Sequence, residues 1–232
     1  MDPFGAVVMA AGAGRRMGVR PKSLLLRGDE PLLLRQIRLL SLAGASAVVV
    51  VLGHHQEALR AVLQPTQARF PQLRWAVNPA PDDGPASSLC HGLAALPPSL
   101  QAIVVTLGDQ PLLEADDFRA VLQAWHARAS GIDLVVPSYQ GQPGHPLVLG
   151  ASVRAAIEHG RGATGVREWR RAHAGEVQTL TLDHGRCTTD IDTPDDVARL
   201  AREQGVALRW PTPVPGGGLG GGAPPPPRQP QG

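Results

Sequence analysis

The chain has 232 residues, of which 43% are hydrophobic and 18% charged, so it can build one substantial packed domain and is not disordered throughout. Its formal charge is only +2, from 22 Lys and Arg against 20 Asp and Glu, and aromatic residues make up 3%. This excludes a protein that coats nucleic acid or stacks bases, and two cysteines, Cys90 and Cys187, exclude a disulfide framework or a cysteine-rich zinc site.

Gly5–Ala10 (GAVVMA) is a short apolar strand followed by a loop rich in Gly and Arg. Pro31–Ala43 carries apolar residues at 33, 37 and 40, a helical spacing that Gly44 stops. Ala47–Leu52 (AVVVVL) reads as a strand buried on both faces. A short helix at His55–Leu63 and a strand at Leu73–Val77 come next. A helix at Ala86–Leu96 ends at Pro97-Pro98, and Ala102–Leu107 (AIVVTL) is a second buried strand. The helix Glu114–Ala129 opens with Asp116 and Asp117, which suit its positive end. Strands at Ile132–Pro137 and Pro146–Leu149 precede helices at Ser152–His159 and Thr164–Ala172. A last strand at Val177–Leu182 and a last helix at Pro194–Gln204 complete the series.

Strand and helix in alternation predict an α/β fold with a mainly parallel sheet covered on both faces. One domain spans residues 1–210. Residues 211–232 hold 8 Pro and 7 Gly with one charge, Arg228, and read as a disordered tail. No run approaches the ~20 apolar residues of a membrane span. Met1–Gly14 is apolar like a leader, but Arg15 and Arg16 follow its apolar run and no basic stretch precedes it. With the low cysteine content, this predicts a reducing, cytoplasmic setting.

In such sheets ligands bind beyond the carboxyl ends of the strands. The loop there, Ala10-Ala11-Gly12-Ala13-Gly14-Arg15-Arg16-Met17-Gly18, is rich in small residues that admit close backbone approach. Its N–H groups can cradle phosphates, with Arg15, Arg16, Arg20 and Lys22 adding charge. A dinucleotide-binding turn is the rival reading, but Met17 stands where its third glycine belongs. Lys22 is the only lysine, which suggests a place that needs a compact ammonium. After the strand AIVVTL, Gly108-Asp109-Gln110-Pro111 presents a carboxylate to the same crevice, suited to Mg²⁺ held with phosphate oxygens. Farther on lies Asp190-Ile191-Asp192-Thr193-Pro194-Asp195-Asp196. Thr193 is an N-cap and Pro194 the first helical residue, so Asp195 and Asp196 are explained by capping. Asp190 and Asp192 are not, and Asp192 is the expected second metal ligand.

AAGAGRRMG-x-x-PK, GDQP and DIDTPDD, in this order, resemble the motifs of molybdenum-cofactor nucleotidyltransferases, along about Gly5 to Gln204. The resemblance implies a three-layer, Rossmann-like nucleotidyltransferase fold whose first loop takes an NTP. Lys22 and Arg15 would contact phosphates. Asp109 would hold Mg²⁺, with Asp192 beside the same ion. Asp83-Gly84-Pro85-Ala86-Ser87-Ser88 resembles the cytidine-reading segment, with Gly84, Ser87 and Ser88 as its contacts. The guanylyl-transferring branch opens with Leu-Ala-Gly-Gly, whereas this chain has Met9-Ala10-Ala11-Gly12. The methyl of Ala11 would narrow the base pocket and favour CTP over GTP. His145-Pro146 resembles the part facing the acceptor, though a loop histidine with no role is the rival reading. The other histidines have no ligand spacing and read as surface or capping residues.

The implied reaction is attack by the phosphate of a molybdopterin-type acceptor on the α-phosphorus of CTP. Mg²⁺ on Asp109 and Asp192 would neutralise charge, Lys22 would act on the α-phosphate, and Arg15 would hold the leaving pyrophosphate. Cytidylyl transfer to another phosphate acceptor stays open. So does a carrier that hands a cofactor to a client molybdoenzyme without turnover. No nucleic-acid or membrane partner is expected.

Overall fold

The computed structural model describes residues 3–212. The expected tail therefore lies outside the described residues from 213 onward.

In chain order the elements are β1 (Gly5–Met9), β2 (Leu26–Arg27), β3 (Glu30–Pro31), α1 (Leu32–Leu42), β4 (Ala47–Leu52), α2 (Gln56–Thr66) and β5 (Leu73–Val77). There follow α3 (Pro85–Ala94), β6 (Ile103–Leu107), α4 (Ala115–His126), β7 (Leu134–Tyr139), β8 (Gln142–Pro143) and β9 (Leu147–Leu149). The last are α5 (Ala151–His159), α6 (Val166–Ala172), β10 (Val177–Thr181), α7 (Pro194–Gln204) and β11 (Leu208–Arg209). The central sheet runs β10-β7-β9-β6-β1-β4-β5. β6, β1, β4 and β5 are mutually parallel, as are β7 and β10.

The sheet is buried on both faces because alternate residues of each strand feed different cores. Ala6, Val8, Val48, Val50 and Val104 meet Leu33 and Ile37 of α1, Leu59 and Leu63 of α2, and Phe118 and Leu122 of α4. Val7, Val49, Val51, Ile103 and Val105 meet Leu89 and Leu93 of α3, Val153 and Ile157 of α5, and Trp169 of α6. The result is three layers.

The mixed character of the sheet comes from β9 and from the short β8, which pairs antiparallel with β7. β9 is antiparallel to both neighbours, pairing Val105 with Leu147 and Ile103 with Leu149 on the β6 side. Its first residues thus lie at the carboxyl end of β6, and the Gly144–Pro146 loop reaches the same rim as the loops after β1 and β6. The sequence reading finds every strand of this sheet but the short β8, with ends shifted by a residue or two.

It also misses a second, three-stranded antiparallel sheet, β11-β2-β3. Each of its strands has two residues, too short to show a period. Beneath it, Met17, Leu25, Leu32, Ile191 and Leu200 form a third core. Both Met17 and Ile191 belong to predicted functional loops, so this core ties those loops together.

Candidate active site

Three strand ends fix the floor of the site. Ala10 N–H donates to the Val51 carbonyl at 3.0 Å, and Gly108 N–H donates to the Met9 carbonyl at 2.9 Å. The first loop rises from that floor. Gly14 has φ of 61°, and a Cβ there would collide with the Arg20 carbonyl oxygen. The N–H groups of Met17 and Val19 both donate to the Gly14 carbonyl, at 2.9 and 3.0 Å, folding the loop back on itself. Among the described residues, the N–H groups of Gly12, Ala13 and Gly14 have no backbone or side-chain acceptor. Glycine at 12 answers to neither strain nor packing, since a Cβ there meets nothing within 4 Å. Gly12, Ala13, Gly14, Arg15, Arg16, Lys22 and Asp192 line a cavity of about 310 Å³ together with His54, Pro81 and Asp82.

Lys22 sits at the centre. It opens a short 3₁₀ turn anchored by the buried Ser23 and Leu24. Its Nζ lies 2.7 Å from Asp109 Oδ2 and 2.7 Å from Asp192 Oδ1, so the two carboxylates converge on one ammonium. Burial works against the charge of Lys22, but Asp109 and Asp192 outweigh it and raise its pKa. Burial pushes the Asp109 carboxyl up, against the pull of Lys22. Asp192 is held below the ordinary range: partial burial opposes its charge, but contacts with Lys22 and Arg16 prevail.

Asp192 is positioned from behind. Asp196 Oδ2 accepts from the N–H groups of Asp192 at 3.0 Å and Thr193 at 2.8 Å, while Thr193 Oγ1 accepts from Asp196 N–H at 3.2 Å. This is a capping box built on the N-cap Thr193, and its carboxylate also anchors the candidate ligand two residues before α7. Asp190, by contrast, lines a neighbouring cavity of about 360 Å³ with Thr188, Thr189 and Arg199. Arg16 and Asp192 line both cavities, and Arg16 Nη2 lies 2.6 Å from Asp192 Oδ2 at the border.

Several expectations need adjustment. Asp109 is not an open crevice carboxylate: its side chain is 16% exposed, because Lys22 lies against it. Arg15 lines the cavity in a solvent-exposed pair with Asp82, at 2.8 Å, while Arg16 contacts Asp192. Ala11 is buried, its methyl beside Gly53. Gly84 has φ of 101° and leads into α3, where Ser88 is buried. Ala10, Ala11, Gly84, Ser87, Ser88, Asp109 and His145 line neither cavity. Burial pushes the pKa of His145 down to about 4, so its imidazole is neutral at neutral pH.

Sequence reasoning missed other residues here. Asn78, buried at the end of β5, donates from Nδ2 to Ser87 Oγ at 3.2 Å and Ser88 Oγ at 3.0 Å, and its Oδ1 accepts from Ala80 N–H. An Asn at a strand's carboxyl end before a Pro-rich turn was the available signal. Gln110 Nε2 donates to the Cys187 carbonyl at 2.9 Å, and His145 N–H donates to the same oxygen at 2.9 Å, linking the Asp109 turn to the His145 loop. His54 and His55 are not surface bystanders. His54 Nε2 lies 3.3 Å from Asp82 Oδ1, and His55 Nε2 lies 2.9 Å from the Ala13 carbonyl.

Residues 6–177 match the MobA-like NTP transferase domain. The chain belongs to that family. It is 31% identical to the nicotine blue oxidoreductase of Paenarthrobacter nicotinovorans, over 84% of this chain and 94% of that protein. It is 28% identical to the bifunctional protein GlmU of Mycobacterium ulcerans over 85% of this chain, but spans only 43% of that protein's length. The crystal structure of Rv0371c from Mycobacterium tuberculosis superposes with a TM-score of 0.69 at 28% identity, covering 87% of this chain and 98% of that one. Rv0371c has also been solved in complex with manganese. The MobA-like match ends inside β10 and so leaves out Asp192, the partner that Lys22 shares with Asp109.

Proposed function

We propose that the chain transfers CMP from CTP to the phosphate of a molybdopterin-type acceptor and releases pyrophosphate. The observation that carries this reading is the convergence of Asp109 and Asp192 on Lys22 beside a glycine-walled cavity. An acceptor phosphate is already ionised at neutral pH and needs no general base. One of its oxygens bonds to the α-phosphorus, the bond to the bridging oxygen breaks, and that electron pair leaves with pyrophosphate. The chain aligns these groups and neutralises charge. In this reading the free N–H groups of Gly12 to Gly14 receive phosphate oxygens, Lys22 turns from its carboxylates toward the α-phosphate, and Arg15 and Arg16 face the pyrophosphate.

Asp109 and Asp192 are the residues that would hold Mg²⁺: they are hard oxygen donors and too few to saturate an ion without phosphate and water. A divalent ion supplies charge neutralisation when bound. The manganese complex of Rv0371c supports a metal role. CTP over GTP is favoured by the buried Ala11 and by the fixed serine pair at α3. His145, uncharged at neutral pH, serves the acceptor by shape or hydrogen bonding rather than by charge.

The test is pyrophosphate release from each NTP with the acceptor and MgCl₂. CTP should exceed GTP, and Asp109→Ala should lose at least about 10²-fold in kcat with unchanged circular dichroism. Unaltered turnover in that variant would discard the metal assignment, and a GTP preference would discard the base assignment. Release with other phosphates alone would favour the broader cytidylyl transfer. CTP binding without release would favour a carrier. The likeness to nicotine blue oxidoreductase motivates one more arm: nicotinamide oxidation without pyrophosphate would replace transfer by redox chemistry.

A further inference from the structure

The last described residues return to the first loop. After α7 the chain runs back through β11, which pairs Leu208 with Arg27 and Arg209 with Leu26 of β2. Val206, Leu208 and Trp210 pack on the third core, which contains Met17 from the loop's 3₁₀ turn. Beyond them the Trp210 ring lies under the Arg20 guanidinium, whose Cζ is 3.8 Å from the ring centroid.

Arg20 differs from the loop's other cations. Arg15, Arg16 and Lys22 each pair with a carboxylate, whereas Arg20 has no ion pair among the described residues. The backbone beside it is strained. Val19, a β-branched residue, has φ of 55°, a region it enters only where its surroundings impose it. The Val19 N–H bond to the Gly14 carbonyl constrains this arm from inside. The indole face of Trp210 constrains it from outside.

We propose that Trp210 is a positioning residue that braces the glycine loop: by holding Arg20, it fixes the return arm against Gly14 and so the free N–H groups of Gly12 to Gly14. Its consequence for catalysis rests on the triphosphate reading above. The residue lies outside the stretch that matches the family domain.

The test contrasts Trp210→Leu, which keeps apolar bulk without an aromatic face, with Trp210→Phe, which keeps the face. Hydrogen–deuterium exchange of residues 12–20 is followed in the full chain without ligand. CTP affinity is then measured with MgCl₂ by equilibrium dialysis. The Leu variant should exchange roughly three- to thirtyfold faster in this loop alone and bind CTP more weakly by a similar factor. The Phe variant should stay near wild type. Arg20→Ala should reproduce the exchange change, and adding Trp210→Leu to it should change nothing further. Equal behaviour of the Leu and Phe variants, or additive exchange effects, would overturn the brace. Loop exchange as expected in a wild-type chain that binds no CTP would uphold the brace and sink the triphosphate reading instead.

Discussion

At the scale of single residues, Gly12 and Gly14 do different work. Gly14 is required by the fold, since alanine there faces both a left-handed backbone and the Arg20 carbonyl. Gly12 has open space above it. Gly12→Ala should therefore melt like wild type yet bind CTP on the order of tenfold to a hundredfold more weakly. Gly14→Ala should lower the melting temperature as well, by differential scanning calorimetry. His145 makes a prediction with a sign. Its folded pKa of about 4 lies below the ordinary value of 6.5, so the unfolded chain takes up a proton first as pH falls. This site costs stability progressively between about 6.5 and about 4 and little above that window. A melting-temperature series against pH should show His145→Asn flattening that part of the acid limb. Lys22, Asp109 and Asp192 stood out as candidates because the lysine is alone in the chain, Asp109 follows a buried strand and capping leaves Asp192 unexplained, and the structure brings the three together. The preference between Arg15 and Arg16 was not legible, since adjacent arginines look alike until the fold sets one on Asp82 and the other on Asp192.

At the scale of elements, Asn78 joins the end of β5 to the start of α3 by donating to both Ser87 and Ser88. Asn78→Ala leaves those hydroxyls short of a donor and frees the 79–84 turn. The loss should be about 1–3 kcal/mol, and a thermal melt should fall by roughly 2–4 °C per kcal/mol. A reduced discrimination of CTP from GTP should accompany it, which a purely structural bond would not produce. Elements with a clear period were legible: the VVVV-type strands fall within a residue or two of expectation and the helices within three. β2, β3, β8 and β11 were not, because a two-residue strand shows no period in sequence and is defined only by its pairing partner. One of these pairings, β11 with β2, spans most of the chain and leads into the loop brace at Trp210.

For the whole molecule, Trp210 is the last residue packed on a core among the described residues, and the Pro- and Gly-rich composition of 211–232 offers little apolar surface to bury. We therefore expect a chain ending at Thr212 to keep the melting temperature and CTP affinity of the full chain, whereas ending it at Gly205 should cost both. A fall in melting temperature on removing 213–232 alone would refute the proposed boundary at 210. Layer order and the parallel run were legible from alternation of element types; the reversal of β9 was not, since a three-residue strand shows no direction in sequence.

That reversal has an evolutionary consequence. A strand entered from the ligand side brings its preceding segment, 140–146, to the rim that carries the loops after β1 and β6, although it is encoded far from the glycine loop. Under the proposed transfer, lengthening or recomposing this segment would retune which acceptor is admitted while nucleotide handling stays intact. Paralogues that share one donor chemistry and differ in client should diverge there first.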